Sequence, residues 1–196
     1  MKNANLSLHP LGSAVHAAKR AADIIFILQS KERSGNAALG KKVREILKVY
    51  GEQNPELNSA DIDELKKVSQ ELYAVFATKD VDDAAGILNL LLNRYASAPR
   101  LSAHAGTPWH LHVDSNDHAP WAEWFAASSA LALASLLAEK QRNPGGLCAS
   151  PSCGRPYIDQ GKGGGRSYCS PRCATRERVA AYRKTRKTPT NSQAPN

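Results

Sequence analysis

The sequence predicts a mainly α protein with one small β-hairpin, an α+β arrangement in which a helical N-terminal domain precedes a small C-terminal module built on cysteines. Three observations carry this reading. Apolar residues recur at helical spacing through most of the first two thirds, apolar–polar alternation is confined to Trp109–Val113, and all 4 cysteines fall between Cys148 and Cys173. A chain of 196 residues has room for one fair-sized domain and a small appendage. Composition places the helical domain at 1–142, the cysteine module at 143–187 and a polar tail, expected to be disordered, at 188–196.

The first helix is expected over about Ala14 to Gln29 and the second over about Asn36 to Tyr50, with Val43, Ile46, Leu47 and Tyr50 on one face and Gly51 ending it. Asp61, followed by Glu64, reads as the N-cap and capping box of a third helix that buries Leu65, Val68, Leu72, Val75 and Phe76. A fourth begins near Asp80 and Val81 with carboxylates in its first turn and runs to Tyr95. After Pro99, the segments Arg100–Ala105 and Trp109–Asp114 flank Gly106-Thr107-Pro108 and read as a hairpin at about 100–114, with Trp109, Leu111 and Val113 inward and His110 and His112 outward. Pro120 then opens a long helix to about Arg142, apolar almost all round and so expected at the centre of the core. Asn143-Pro144-Gly145-Gly146 reads as a short linker.

Charge divides the chain more sharply than hydropathy does. Up to Gly154, 16 basic residues balance 16 acidic ones; from Arg155 to Lys187, 10 basic residues face 2 acidic ones, so the whole surplus of +8 lies there. That asymmetry points to an anionic partner for the C-terminal end. The apolar stretch Ile24–Leu28 is too short for a signal or a membrane span, and the run from Ala126 to Ala138 is broken by serines. A cytoplasmic protein with no membrane partner is the expectation. Clustered cysteines also argue against a disulfide framework spread through a secreted fold.

The cysteines are spaced Cys148-x4-Cys153, then 15 residues, then Cys169-x3-Cys173. Two short-range pairs are how a chain delivers four thiolates to one tetrahedral ion, and Leu147, Tyr157, Ile158, Tyr168 and Val179 are too few to make an independent core. One structural Zn2+ is expected, held by Cys148, Cys153, Cys169 and Cys173. With four thiolates, no coordination position is left for water, so zinc catalysis is not expected. The Gly161–Ser167 stretch departs from the phosphate-loop order and reads as a flexible connection.

Beyond the last pair, Ser170 can cap a helix and Pro171 suits its first turn. Arg172, Arg176, Arg183 and Lys187 follow at spacings of 4, 7 and 4, close to one face, while Val179 and Tyr182 are expected to pack on the metal knot. Like charges at such spacing repel, and an anion that pairs with the row removes that cost. Arg166, Arg172, Arg176, Arg178, Arg183, Lys184, Arg186 and Lys187 are the expected nucleic-acid contacts. Duplex DNA is the preferred partner and structured RNA the rival.

The Cys-x4-Cys-Gly start, the Asp159 turn, the Gly/Arg loop, the aromatic before Cys169, Cys-Ser-x2-Cys and the Arg-rich helix together resemble the CGNR-type zinc finger. The naming motif reads Cys173-Ala174-Thr175-Arg176 here, without the middle Gly-Asn. In that family the finger follows a mostly helical ABATE-type domain and the pair is classed among stress-induced transcription regulators. The resemblance covers about Leu88 to Lys187. It implies the four cysteines as ligands, Arg176 as the motif arginine, and an N-terminal domain that senses a small-molecule effector or forms a homodimer.

His104, His110, His112 and His118, with Asp114 and Asp117, crowd the hairpin and offer an alternative metal or enzymatic site; exposed polar histidines are the competing reading. Trp109, Trp121 and Trp124 are expected as core, with an effector pocket as the other reading. No Ser/His/Asp set, nucleophile elbow or dinucleotide fingerprint is present, and the chain is read as a binding protein rather than an enzyme.

Overall fold

A computed structural model describes residues 14–30, 34–52, 55–103, 109–161 and 165–187. In chain order these form α1 (Ala14–Leu28), α2 (Asn36–Val49), α3 (Ser59–Ala77), α4 (Val81–Tyr95), β1 (Arg100–Ser102), β2 (His110–His112), α5 (Trp121–Lys140), β3 (Gly145–Leu147), β4 (Pro156–Ile158) and α6 (Pro171–Lys187). The α+β class is as the sequence predicts. The strands make two separate antiparallel pairs, β1 with β2 and β3 with β4.

α5 is the centre of the bundle, packed by α1, α3 and α4. Phe125, Ala126, Ala130 and Leu133 are fully buried on it. Among the described residues it is the helix long and apolar enough to cross a membrane; here neighbouring helices take up its apolar surface. It starts one residue later than expected, with Pro120 as N-cap, and ends at Lys140, where Gln141 turns left-handed. The third helix starts three residues earlier than predicted. The Asn58 side chain accepts from the Asp61 amide and Asp61 returns the bond to the Asn58 amide, so Asp61 is the closing residue of the capping box rather than its opener. Two overlapping acidic frames satisfy the same motif, and the earlier one adds a turn of helix. α4 begins as expected, with Asp80 accepting from the Asp82 and Asp83 amides.

The first hairpin forms in the expected place, but within its strands it faces the other way, while Val113, just past β2, is buried as expected. Leu101, Trp109 and Leu111 are exposed, while Ser102, His112, Val113 and Asp114 are buried. Alternation fixes which residues share a face; it does not say which face is inward. Here the polar face satisfies itself: Arg100 donates to Asp114 Oδ1 at 2.6 Å and to Asp117 Oδ1 at 2.7 Å, and Ser102 donates to Asp117 Oδ2 at 3.1 Å. A polar set closed in this way can be buried without orphaned groups. Trp109 is therefore not core, whereas Trp121 and Trp124 pack edge to face at 5.4 Å against it. The turn Gly106-Thr107-Pro108 lies outside the described residues, as do the 188–196 tail, His104 and Lys162.

The segment read as a linker is instead structural. Gly145–Leu147 forms β3 and pairs with Pro156–Ile158. The resulting hairpin lies on α1 and α3, and Ile158 belongs to the same apolar cluster as the bundle. Arg155 reinforces the junction, donating to Asp23 Oδ1 at 2.7 Å while its guanidinium lies over the Phe26 ring at 4.7 Å.

Candidate metal centre

Each cysteine pair is carried by a different local structure. Cys148 follows β3, and its amide donates to Arg155 O at 2.9 Å, across the turn that Cys153 closes by donating to Ser150 O at 2.9 Å. Gly154, at φ 59°, takes the left-handed conformation that lets this turn lead into β4. Cys169 enters through a backbone bond from Ser167: Ala149 N donates to Ser167 O at 2.8 Å. The Cys169 amide then points at Cys148 Sγ at 3.4 Å. Cys173 sits on the first turn of α6, where Ser170 Oγ accepts from its amide at 3.3 Å, the cap the sequence predicts.

All four sulfur atoms lie within 4.8 Å of one another, and among the described residues they are the metal-capable cluster of three or more ligands. Cys153 to Cys169 and Cys169 to Cys173 are each 3.7 Å. A tetrahedral ion with Zn–S near 2.3 Å holds its sulfurs about 3.8 Å apart, whereas a disulfide brings them to about 2.05 Å. The donor set and spacing therefore fit one zinc ion, closed to solvent ligands. Burial, with the neighbouring thiols, pushes Cys169 up to about 12, while Ser170 draws Cys173 down to about 7. Cys173 is thus the readier of the two to ionise, and a metal binding at Cys169 displaces its proton to solvent.

Three arginines near the site are occupied by the fold. Arg166 bends back to donate to Tyr168 O at 3.1 Å and Cys169 O at 2.6 Å, holding the backbone of the third ligand. Arg155 docks on α1, as described above. Arg176 donates to Ser150 Oγ at 2.5 Å, approaches Cys173 Sγ at 3.5 Å and lies 3.4 Å from Glu177 Oε1. The motif arginine therefore ties the base of α6 to the first knuckle. Composition alone did not separate these arginines from the outward ones; their proximity to the ligand cysteines was the available signal.

The rest of the row stands clear. α6 has 17 residues, about 25 Å of helix, and from Arg178 to Arg186 every residue is exposed. Arg178, Arg183, Lys184 and Arg186 are on this projecting surface, and Arg172 is exposed at the base of the helix; Lys187 ends the helix, and its side chain lies outside the described residues. Val179 and Tyr182 are 41% and 60% exposed rather than packed on the knot. The knot reaches only to Glu177, and Val179 lies seven residues from Arg172 and four from Arg183, which places it within the arginine row.

The hairpin histidines form a pair: His110 and His112 meet Nε2 to Nε2 at 2.8 Å, and His112 Nδ1 faces Asp114 Oδ1 at 3.0 Å. His118 is exposed and not part of the pair.

No curated protein matches the chain. The family model described as the CGNR zinc finger matches residues 146–186, the span that holds the four cysteines and nearly all of α6, so the C-terminal part of this chain is similar to that zinc finger and its four cysteines are placed to hold one metal ion.

Proposed function

We propose that the protein is a DNA-binding transcription regulator whose zinc site sets the base of a reading helix. The observation that carries this is α6 itself: the four-cysteine site and the Arg176–Ser150 bond hold its base, while Arg172, Arg178, Arg183 and Arg186 are exposed to solvent. Arginine forks suit phosphates and guanine edges, and Val179 and Tyr182 among them add apolar contact of the kind that base edges accept. Phosphate contacts supply most of the affinity. A single finger buries too little surface for tight specific binding, so the helical domain acts as the dimerising or effector-sensing part, as the resemblance to ABATE-type domains implies. The four-thiolate set, with no open position, supports a binding role over a catalytic one.

Competition on the zinc-loaded chain tests this reading. A labelled mixed-sequence DNA duplex should be displaced by unlabelled duplex at lower concentration than by structured RNA. Preferential displacement by RNA overturns the DNA assignment in favour of an RNA-binding zinc protein.

A further inference from the structure

A cleft of about 490 Å³ opens where the zinc finger meets the bundle, between the α3–α4 corner, the end of α5 and the loop that returns to Cys169. That volume is in the range of small-molecule sites, roughly 300–1,000 Å³. Lys79, Arg142, Asn143, Tyr157, Asp159 and Arg166 contribute to its lining.

Its charges are unevenly committed. Asp80, at the rim, caps α4 through Oδ1. Asp159 accepts from the Gly161 amide at 2.9 Å and lies 3.7 Å from Arg142. The Lys79 ammonium and the Arg166 guanidinium, by contrast, have no carboxylate partner among the described residues; the guanidinium donates to neutral carbonyls, and the Arg166 amide lies 3.4 Å from Asp159 Oδ2. The lining thus carries three cations, Lys79, Arg142 and Arg166, against two carboxylates, Asp80 and Asp159.

A second, independent observation lies in its wall. Asn143 donates through Nδ2 to Thr78 O at 3.1 Å. A carbonyl can only accept, so this bond fixes the amide's orientation and leaves Oδ1 as the other end. That Oδ1 is buried and has no partner among the described residues. An orphaned buried acceptor is costly unless a donor arrives to fill it.

We propose that this cleft binds a small phosphorylated metabolite, its anionic group held by Lys79 and Arg166 and one of its hydroxyl or N–H groups donated to Asn143 Oδ1. The ligand would touch the bundle through Lys79 and Asn143 and the finger through Arg166, whose guanidinium also holds the carbonyl of the zinc ligand Cys169. Binding is thereby coupled to the base of α6, and this coupling, though not the site, rests on the nucleic-acid reading above.

Calorimetry on the zinc-loaded full chain tests the site, with adenosine 5′-monophosphate, ribose 5-phosphate and inorganic phosphate as probes. Saturable binding is expected with at least one of the first two. Lys79→Ala should weaken it about tenfold or more, the usual cost of a charge-assisted bond, and Lys79→Arg should retain it. Asn143→Ala should weaken the organic phosphates and leave inorganic phosphate unchanged, with zinc content confirming the fold. No binding of any probe, or equal affinity in Lys79→Ala, overturns the proposal. So does a Lys79→Ala variant that loses DNA affinity while no small phosphate binds, because the cleft would then be a track for nucleic-acid phosphates. DNA binding measured on the same sample separates the two readings: a ligand without DNA binding keeps the site and removes the regulator.

Discussion

Arg176 donates to the hydroxyl of Ser150 at 2.5 Å across 26 residues of chain, and Ser150 passes the bond to Glu177 at 2.5 Å. Ser150 is 1% exposed, so this short relay is buried at one end and reaches solvent at the other. It joins the knuckle that carries Cys148 and Cys153 to the helix that carries Cys173. Zinc makes the same connection through its ligands, so metal and relay jointly fix the direction in which α6 leaves the body.

Arg176→Ala should therefore act on the metal. Loss of a group that orients ligands typically costs 10–100-fold in metal affinity, and a fall of about tenfold is expected in competition with a chromogenic chelator. Ser150→Ala should behave alike. Arg183→Ala, on the projecting part of α6, should leave zinc affinity unchanged.

Removing zinc should destabilise more than the finger. Ile158 lies in the common core and β4 packs on α1, so loosening the finger uncovers bundle surface. Chelation, or Cys153→Ser, should lower the melting temperature of the whole chain as followed by helical circular dichroism. An unchanged helical transition would show that the bundle does not depend on the finger.

Ile158→Ala tests the same junction without touching a ligand. Truncating a buried isoleucine costs about 2–5 kcal/mol, and because Ile158 is 6% exposed the upper part of that range is not expected. Denaturant unfolding should remain a single transition with a lower midpoint. A separate early transition, confined to the finger, would contradict the shared core.

Two glycines are expected to be intolerant for different reasons. A Cβ on Gly145 would fall 1.9 Å from Tyr157 O, a backbone atom that cannot move aside without breaking β3–β4. Gly154 has open space but φ +59°, so alanine there costs about 1–2 kcal/mol of strain. Gly145→Ala should yield little zinc-loaded protein, and Gly154→Ala a folded protein of modestly reduced stability.

The elements most legible in the sequence were those with a local cause. Asp80 and Ser170 announce helix starts through their own side chains, and the apolar girth of α5 marks it as central. The four ligands are legible because each pair is a local chelate. The orientation of the first hairpin was not, since it depends on Arg100 reaching Asp114 and Asp117, 14 and 17 residues away. Nor was the role of Gly145–Leu147: glycine and proline mark a linker locally, and only the arrival of Pro156–Ile158 turns it into a strand. Arg166 and Arg176 look in sequence like the other arginines, because charge is visible there and the carbonyl and hydroxyl acceptors that orient these two are not.

The proposed function rests on zinc presenting the outer face of α6 to DNA phosphates. The measurement that tests it most directly is a salt titration of duplex-DNA affinity, comparing the zinc-loaded protein with a variant carrying Arg172→Ala, Arg178→Ala and Arg183→Ala at once. Each phosphate contact contributes about 0.9 to the slope of log affinity against log salt. Steep salt dependence is expected for the parent and a slope shallower by about 2–3 in the variant, with zinc content equal in both. Absence of binding at low salt, or identical slopes, would contradict the proposed function.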